Sequence, residues 1–403
     1  MRIALFTDTY HPQINGVATS IMVLEKYLQQ RGHDVYVFTS SDSHADLTEE
    51  NGKVFRFPSL GALFVPERRL AVAGLSRASH LIEDLDIDLI HTHTEFSMGV
   101  MGKMLAKKYH LPCIHTYHTM YKDYLHYIAK GKLIPPSLVG ILSRLYCKKT
   151  YAVIAPTEKV KKQLEQYNIR GSIRTIPTGI DFATFKRDFK QIETIYQIKE
   201  KLQLQSTDTI LLSVGRIAQE KNMRVLIESL PTLLLEHPFV KLVMVGDGPE
   251  KKELMQLTKK LGLTESVRFT GAIPWSDIPA YYQMADLFLS ASTSETQGLT
   301  YIEAMASGLP VVAKQDPSIE ELLIDKRTGF LFQEDLELAE TLSNILNRPD
   351  QFRSIKQQAK RHIERLSADH FANQMEQLYE EAIYSYVTSH HSIRTLNKKE
   401  RLS

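Results

Sequence analysis

The sequence predicts an α/β protein built from two open-sheet domains, and three observations carry that expectation. Short apolar runs such as 2–7, 89–93 and 209–214 read as buried strands, and stretches with helical spacing separate them. The alternation of strand and helix lapses over 182–205, a charged stretch poor in strand signal that reads as a linker, and then restarts. A chain of 403 residues is long enough for two domains, each with its own core.

The first half opens on a βαβ unit. Residues 2–7 (RIALFT) form a strand, 17–30 a helix and 34–39 (DVYVFT) the next strand. The loop 8–16 holds one glycine, Gly16. A dinucleotide fingerprint needs Gly-x-Gly-x-x-Gly there, so its absence argues against a nicotinamide dehydrogenase. A polar loop over 40–52 precedes a short strand at 54–57, and 59–81 mixes apolar residues with Arg68, Arg69 and Arg77. The strand 89–93 ends on His91 and His93. Before it, Asp84-Leu-Asp86-Ile-Asp88 contains two overlapping Asp-x-Asp patterns. They fall at the strand's amino end, opposite the crevice where open sheets bind ligands, so they read as a solvated helix end and not as a metal site. A strand at 113–117 is followed by His118, a titratable group at a strand's carboxyl end. A helix at 136–146 and a strand at 152–155 complete the series.

The second series begins at 209–214 (TILLSV), followed by Gly215-Arg216-Ile-Ala-Gln-Glu-Lys221-Asn222. Arg216 and Lys221 sit on a loop leading into a helix, where an anion is already favoured. Arg can hold two phosphate oxygens at once, and Lys supplies a point charge. Strands follow at 241–245 and 267–270. Gly246-Asp-Gly248-Pro after the first is too short for a dinucleotide motif and reads as a turn; Gly271-Ala-Ile273-Pro274 follows the second. The most informative stretch is 286–313. It gives a strand at 286–290, a polar turn at 292–298, a helix at 299–307 stopped by Gly308 and Pro310, and a strand at 309–313. Glu295 lies on the strand-to-helix loop and Glu303 about one turn into the helix. Both carboxylates and the first helix amides point at the crevice beyond the strand ends, where amides favour anions and carboxylates accept hydroxyl groups. A short strand at 329–332 and helices over 335–389 lead to a polar, basic and frayed end, 390–403.

The pair Glu295-x7-Glu303, followed by Ala-Met-Ala-Ser-Gly-Leu-Pro-Val-Val, resembles the signature of the retaining family 4 glycosyltransferases. Further segments resemble the family in order: Asn15-Gly16-Val17, His118-Thr119, Arg174-Thr-Ile-Pro-Thr-Gly-Ile-Asp181, Gly215-Arg216-x4-Lys221-Asn222 and Gly271-Ala-Ile273-Pro274. The resemblance implies the GT-B fold, two Rossmann-like domains facing across a cleft. The division then expected is 1–190 for an acceptor-binding domain, 191–375 for a nucleotide-sugar-binding domain, and 376–403 for a helix crossing back to the first domain plus a basic tail. The implied reaction moves a sugar from a nucleotide diphosphate to a hydroxyl with retention of configuration, and needs neither metal nor other cofactor. Implied catalytic residues are Glu295, His118, Arg216 and Lys221. Gly16 lets the backbone approach the donor's phosphates, Arg216 and Lys221 offset the charge of the leaving diphosphate, and the backbone at Ile273 reads the base. Glu303 holds the ribose, Glu295 with the amides of Gln297, Gly298 and Leu299 holds the sugar, and His118 meets the sugar from the other domain. No nucleophile stands out, so attack on the face of departure is expected.

The opening 6–20, from Phe6-Thr-Asp-Thr-Tyr to Gly16-Val-Ala-Thr-Ser, is similar to the diacylglycerol glucosyltransferases within that family. This implies UDP-glucose as donor and diacylglycerol as acceptor. A family member with a soluble or other lipid acceptor, a sugar-nucleotide epimerase of the same fold, and a non-catalytic sensor of sugar nucleotides stay open. The 43% hydrophobic and 24% charged shares are those of a globular protein, and a net charge of +2 gives no reason to expect a nucleic-acid partner. Two cysteines, Cys113 and Cys147, make no disulfide framework, so buried, inert thiols are expected. Asp8 interrupts any leader-like apolar core, and no stretch approaches the ~20 apolar residues that span a bilayer. The expected location is cytoplasmic, peripheral on the inner face of the cell membrane. From 103 to 162 twelve Lys/Arg stand against Asp123 and Glu158, an excess of +10, with the apolar helix 136–146 inside it. That combination suits an anionic membrane surface; a solvated basic face over a buried helix is the other reading.

Overall fold

The structure is a computed structural model describing residues 1–13, 15–43, 45, 52–62, 65–121, 136–186 and 191–400, with side chains at 62, 65–68, 136–137 and 390–400 outside the description. It divides into two compact units, Met1–Gly179 with Ala368–Ser403, and Ile180–Ser367. Both divisions come earlier in the chain than the expected 190 and 375.

The first unit begins with β1 (Arg2–Thr7), α1 (Gly16–Gln30), β2 (Asp34–Ser40) and β3 (Val54–Phe57). The mixed stretch after it resolves into an antiparallel hairpin, β4 (Ser59–Ala62) and β5 (Val65–Ala71), and a helix, α2 (Leu75–Asp84). Next come β6 (Leu89–Thr92), α3 (Ser97–Tyr109), β7 (Cys113–Thr116), α4 (Pro136–Cys147), β8 (Ala152–Ala155), α5 (Glu158–Gln166) and β9 (Ser172–Thr175). The sheet is parallel in the order β3-β2-β1-β6-β7-β8-β9. Helices cover both its faces, which is why Ile3, Ala4, Leu5 and Phe6 form an unbroken buried run. The order reverses between β1 and β6, so the ligand crevice of this sheet opens beyond their carboxyl ends. At the opposite, amino ends, Asp86 pairs with Arg2 at 2.6 Å and Asp88 Oδ2 accepts the Arg2 amide at 2.7 Å. Cys113 and Cys147 are free and buried, and burial pushes both thiols up to about 12.

The second unit contains α6 (Phe182–Phe185), α7 (Gln191–Lys201), β10 (Thr209–Val214), α8 (Met223–Glu228), α9 (Leu230–Glu236), β11 (Val240–Val245) and α10 (Lys251–Lys260). It continues with β12 (Val267–Gly271), α11 (Ile278–Met284), β13 (Leu287–Ser290), α12 (Leu299–Ala306), β14 (Val311–Lys314), β15 (Phe330–Phe332), α13 (Leu338–Leu346) and α14 (Asp350–Ile363). Its parallel sheet runs β12-β11-β10-β13-β14-β15 and reverses between β10 and β13. The stretch expected as a linker is instead part of this unit. Phe185, Ile198, Leu202 and Leu204 are buried in its core, and the charges that hid this pattern lie on α7, Glu193, Glu200 and Lys201 facing outward.

The last helix, α15 (Ala368–Glu400), belongs to the first unit and continues through the end expected to fray. Phe371, Met375, Leu378, Tyr379 and Ala382 join Ile3, Leu5, Ile21 and Leu24 in one core. Glu376 fastens the helix to the end of α1, accepting from Arg31 at 2.9 Å and lying 2.7 Å from His33 Nε2.

Candidate functional site

In the second unit the chemistry gathers where the sheet order reverses. The loop after β10 carries Arg216 and Lys221, and the turn after β13 carries Glu295. Glycine shapes this end of the sheet. Gly246, at the end of β11, has φ +140°, and a Cβ there would meet the Gly215 carbonyl oxygen at 1.9 Å. Only glycine lets the two strand ends close up and carry Arg216 across them. Lys221 Nζ lies 2.5 Å from Glu295 Oε1, and Arg216 Nη1 lies 3.9 Å from Glu220 Oε1. Ser294 and Ser292 donate to the Glu220 carbonyl at 3.2 and 3.4 Å, lacing the two loops together. Arg216 and Lys221 thus each lie beside a carboxylate, which avoids leaving partly buried charges without partners.

The turn 292–298 feeds α12. Its N-cap, Gly298, has φ +73°, and a Cβ there would lie 2.7 Å from the Tyr301 ring, so a side chain is excluded on two grounds. Tyr301 donates to Ser290 Oγ at 2.7 Å and fixes the helix start over the strand end. Gln297, Gly298 and Leu299 therefore sit at the amino end of α12, whose dipole favours negative charge. Gly308, at φ +76°, closes the other end, with its amide donating to the Met305 carbonyl at 3.0 Å. Glu303 is buried and accepts from Tyr282 at 2.8 Å. Burial pushes its carboxyl from 4.5 up to about 7, against a smaller lowering by the Tyr282 hydrogen bond. Ile273 stands on the loop after β12, half-buried against the same core.

In the first unit, Gly16 opens α1 beyond the carboxyl end of β1. Asn15 caps that helix, its Oδ1 accepting from Val17 and Ala18 at 3.1 and 3.0 Å. Asp8, buried just past β1, accepts from the Thr94 hydroxyl at 2.6 Å, from the Ser97 hydroxyl and from the Met98 amide at 3.0 Å. It caps α3, whose own N-cap Phe96 makes no side-chain cap. His118 is half-buried beyond β7, and its Nε2 lies 3.0 Å from His93 Nδ1.

The structure therefore brings Arg216, Lys221 and Glu295 together, sets Glu303 and the 297–299 amides on the adjoining helix, and puts Gly16 and His118 at strand ends of the other unit. The sequence reading gave Glu220 and Tyr282 no role, and noted His93 only as a strand-end residue. Glu220 stood inside the quoted Gly-Arg-x4-Lys-Asn motif and could have been found there. Tyr282 had no local signal, and neither its contact with Glu303 nor that of His93 with His118 is local, the partners lying 21 and 25 residues away.

Comparison with known proteins identifies the family. Residues 14–184 match the family model described as Glycosyltransferase Family 4, and 195–362 the model described as Glycosyl transferases group 1. The chain is 41% identical over 386 residues to the alpha-monoglucosyldiacylglycerol synthase of Streptococcus pneumoniae, spanning 96% of this chain and 87% of that one. It is 32% identical over 388 residues to the synthase of the same name from Acholeplasma laidlawii, spanning 94% and 96%. The solved structure of Anabaena HepE in complex with UDP-glucose matches with a TM-score of 0.77 at 21% identity, covering 94% of this chain and all 100% of that one. Sucrose-phosphate synthase from Thermosynechococcus elongatus matches with a TM-score of 0.78 at 22% identity, covering 95% and 99%. At these identities the structural likeness is one of fold.

Proposed function

The chain belongs to the family 4 glycosyltransferases and has their GT-B fold, and on that footing we propose that it moves glucose from UDP-glucose to the hydroxyl of diacylglycerol, giving alpha-monoglucosyldiacylglycerol. The observation that carries this reading is the meeting of Arg216, Lys221 and Glu295 at the reversal of the second sheet. The bond to the anomeric carbon breaks with charge separating in both directions. The leaving diphosphate gains negative charge, and Arg216 and Lys221 meet it, each charge-assisted hydrogen bond contributing roughly 1.5–3 kcal/mol. The sugar gains positive charge, and Glu295, given up by Lys221 as the diphosphate takes that cation over, holds its hydroxyls together with the amides of Gln297, Gly298 and Leu299. Glu303 takes the ribose hydroxyls and Ile273 reads the base through its backbone. The resemblance to the family further assigns Gly16 to the approach of the phosphates and His118 to the sugar. Attack by the acceptor on the face of departure retains the configuration.

The lipid acceptor and the location rest on α4. Val139, Ser143 and Cys147 form its buried side, while Ile141, Leu142 and Leu145 are exposed, Leu142 by 54% and Leu145 by 60%. Exposed Arg144, Lys148 and Lys149 lie on and just past it. An outward apolar row bordered by cations suits the headgroup layer of an anionic bilayer. Lys122, Asp123, Lys130 and Lys132, counted in the basic excess, lie outside the described residues. Among those described, no helix is long and apolar enough to cross a membrane. The reaction is tested with radiolabelled UDP-glucose and vesicles containing diacylglycerol. Label in a glucosylated lipid is expected. Free or epimerised sugar formed without acceptor, or transfer only to water-soluble acceptors, would overturn the assignment.

A further inference from the structure

Four histidines cluster at the carboxyl ends of β6 and β7, and two of them are fully occupied. His91 has Nδ1 2.7 Å from the Tyr379 hydroxyl and Nε2 2.8 Å from Thr116 Oγ1. His115 has Nδ1 2.9 Å from both the hydroxyl and the carbonyl of Thr92, and Nε2 3.1 Å from Glu95. His93 differs. Its ring is 2% exposed, packs on His91 with centroids 3.9 Å apart, and lies nearly parallel to His118 at 5.3 Å. Its Nδ1 meets His118 Nε2 at 3.0 Å, and its buried Nε2 has no hydrogen-bond partner among the described residues. Burial, with His91, His118 and His115 adding to it, holds this imidazole well below its usual range, so the ring is neutral and carries one proton.

One proton lies between the two facing nitrogens, and its placement sets both rings. If His118 donates from Nε2, His93 must keep its own proton on the buried Nε2, an N–H with no acceptor. If His93 donates from Nδ1, what remains in the core is an unpaired lone pair. Buried orphan donors are rarer in proteins than under-satisfied acceptors, so the second arrangement wins. His118 then accepts at Nε2 and carries its proton on Nδ1.

We propose that His93 is a positioning residue for sugar transfer: its Nδ1–H holds the His118 ring in place and in the Nδ1–H tautomer, so that His118 meets the sugar in one fixed orientation and tautomer. This rests on the reading of His118 as a sugar contact. His93 stands beyond β6, at the reversal of the first sheet, which is the strand end where such sheets place their ligands.

The test compares His93→Leu, which removes the donor, with His93→Asn, whose amide nitrogen can take the place of Nδ1. Isotope-edited NMR of the histidine ring nitrogens should report His118 as the Nδ1–H tautomer in the wild type and in His93→Asn, and lose that single tautomer in His93→Leu. The kcat/KM for UDP-glucose should fall about tenfold or more in His93→Leu and recover most of that loss in His93→Asn, since misplacement of a positioning group costs up to ~100-fold. UDP alone, lacking the sugar, should bind all three proteins alike in calorimetry. If His118→Ala is impaired while His93→Leu performs as wild type, the positioning role fails and the sugar contact stands. If His118→Ala performs as wild type, the sugar contact itself fails. A wild-type His118 in the Nε2–H tautomer overturns the proposal even if His93→Leu does not fold.

Discussion

Glu303→Gln should gain stability relative to the wild type as pH rises. The Glu303 carboxyl is buried, with Tyr282 2.8 Å away, and burial raises it from 4.5 to about 7. The native state therefore binds this proton more tightly than the unfolded chain does. Between these two values the native state carries more protons than the unfolded one, so stability from this group falls as pH rises and is lost above about 7. A rise of about 2.5 units at ~1.4 kcal/mol per unit makes the full loss on the order of 3 kcal/mol. Glutamine keeps an oxygen for the Tyr282 hydroxyl and never ionises. Its amide hydrogens bring a cost of their own, roughly 1–3 kcal/mol if unpaired, but that cost does not vary with pH. The gap between variant and wild type should thus shift in the variant's favour by roughly 2–3 kcal/mol from about pH 5 to about pH 8. Urea unfolding without ligand at the two pH values measures it. A gap that stays constant would mean that Glu303 titrates as an ordinary carboxyl, and the reasoning would be wrong. The same variant should bind UDP more weakly at about pH 8, because the ribose loses an ionised acceptor; wild-type affinity in calorimetry would confirm that the ribose is held elsewhere.

Arg216→Ala should lower turnover by on the order of 100-fold or more, since its charge meets one that grows in the transition state, while the loop position leaves the fold intact; a folded variant with unchanged kcat would remove it from the clamp. Glu295→Gln should lower turnover yet leave UDP affinity equal or higher, because Lys221 is no longer shared with a carboxylate; a marked loss of UDP affinity would contradict that exchange. Chelator should leave turnover intact, and a loss restored by added magnesium would contradict the metal-independent reading. Charge reversal at Lys148 and Lys149 should weaken sedimentation with phosphatidylglycerol vesicles at low salt, at about 1 kcal/mol per cation, without altering UDP binding. Equal partition of the wild type onto neutral and anionic vesicles would sink electrostatic docking.

The strands were legible because a buried parallel strand reads as an unbroken apolar run. The run 2–7 is β1 to the residue, and 209–214 is β10. The turn and helix around Glu295 were legible for a different reason. Gly298 and Gly308 each occupy a left-handed position that side chains avoid, so they mark the two ends of α12 in the sequence itself. Amphipathic elements were harder to read. In α7, Ile195 and Ile198 face the core while Glu193, Lys199 and Lys201 crowd the same short segment, and the charges made a packed helix look like a linker. The hairpin β4–β5 lacked alternation, and its register shifts between Gly61 and Ala62, which disturbs the two-residue period on which such readings depend.

Pairing was the part that local pattern could not supply. Lys221 and Glu295 are 74 residues apart in the chain, and only the adjacency of β10 and β13 brings them together. Each strand-loop-helix segment proclaims its own cation or carboxylate, but the strand order decides which loops become neighbours. That order reverses once in each sheet, and charged or titratable groups stand beside each reversal: Arg216, Lys221 and Glu295 in one, His93 in the other. The electrostatics follow from the same adjacency. Two neighbouring, partly buried cations would repel each other, and the fold sets Glu220 and Glu295 beside them. On the proposed reading a diphosphate would replace those contacts, and its net affinity would be the difference between two sets of ion pairs. That exchange would limit how tightly the leaving group is held in the ground state and leave the pull of both cations for the charge that develops as the sugar departs.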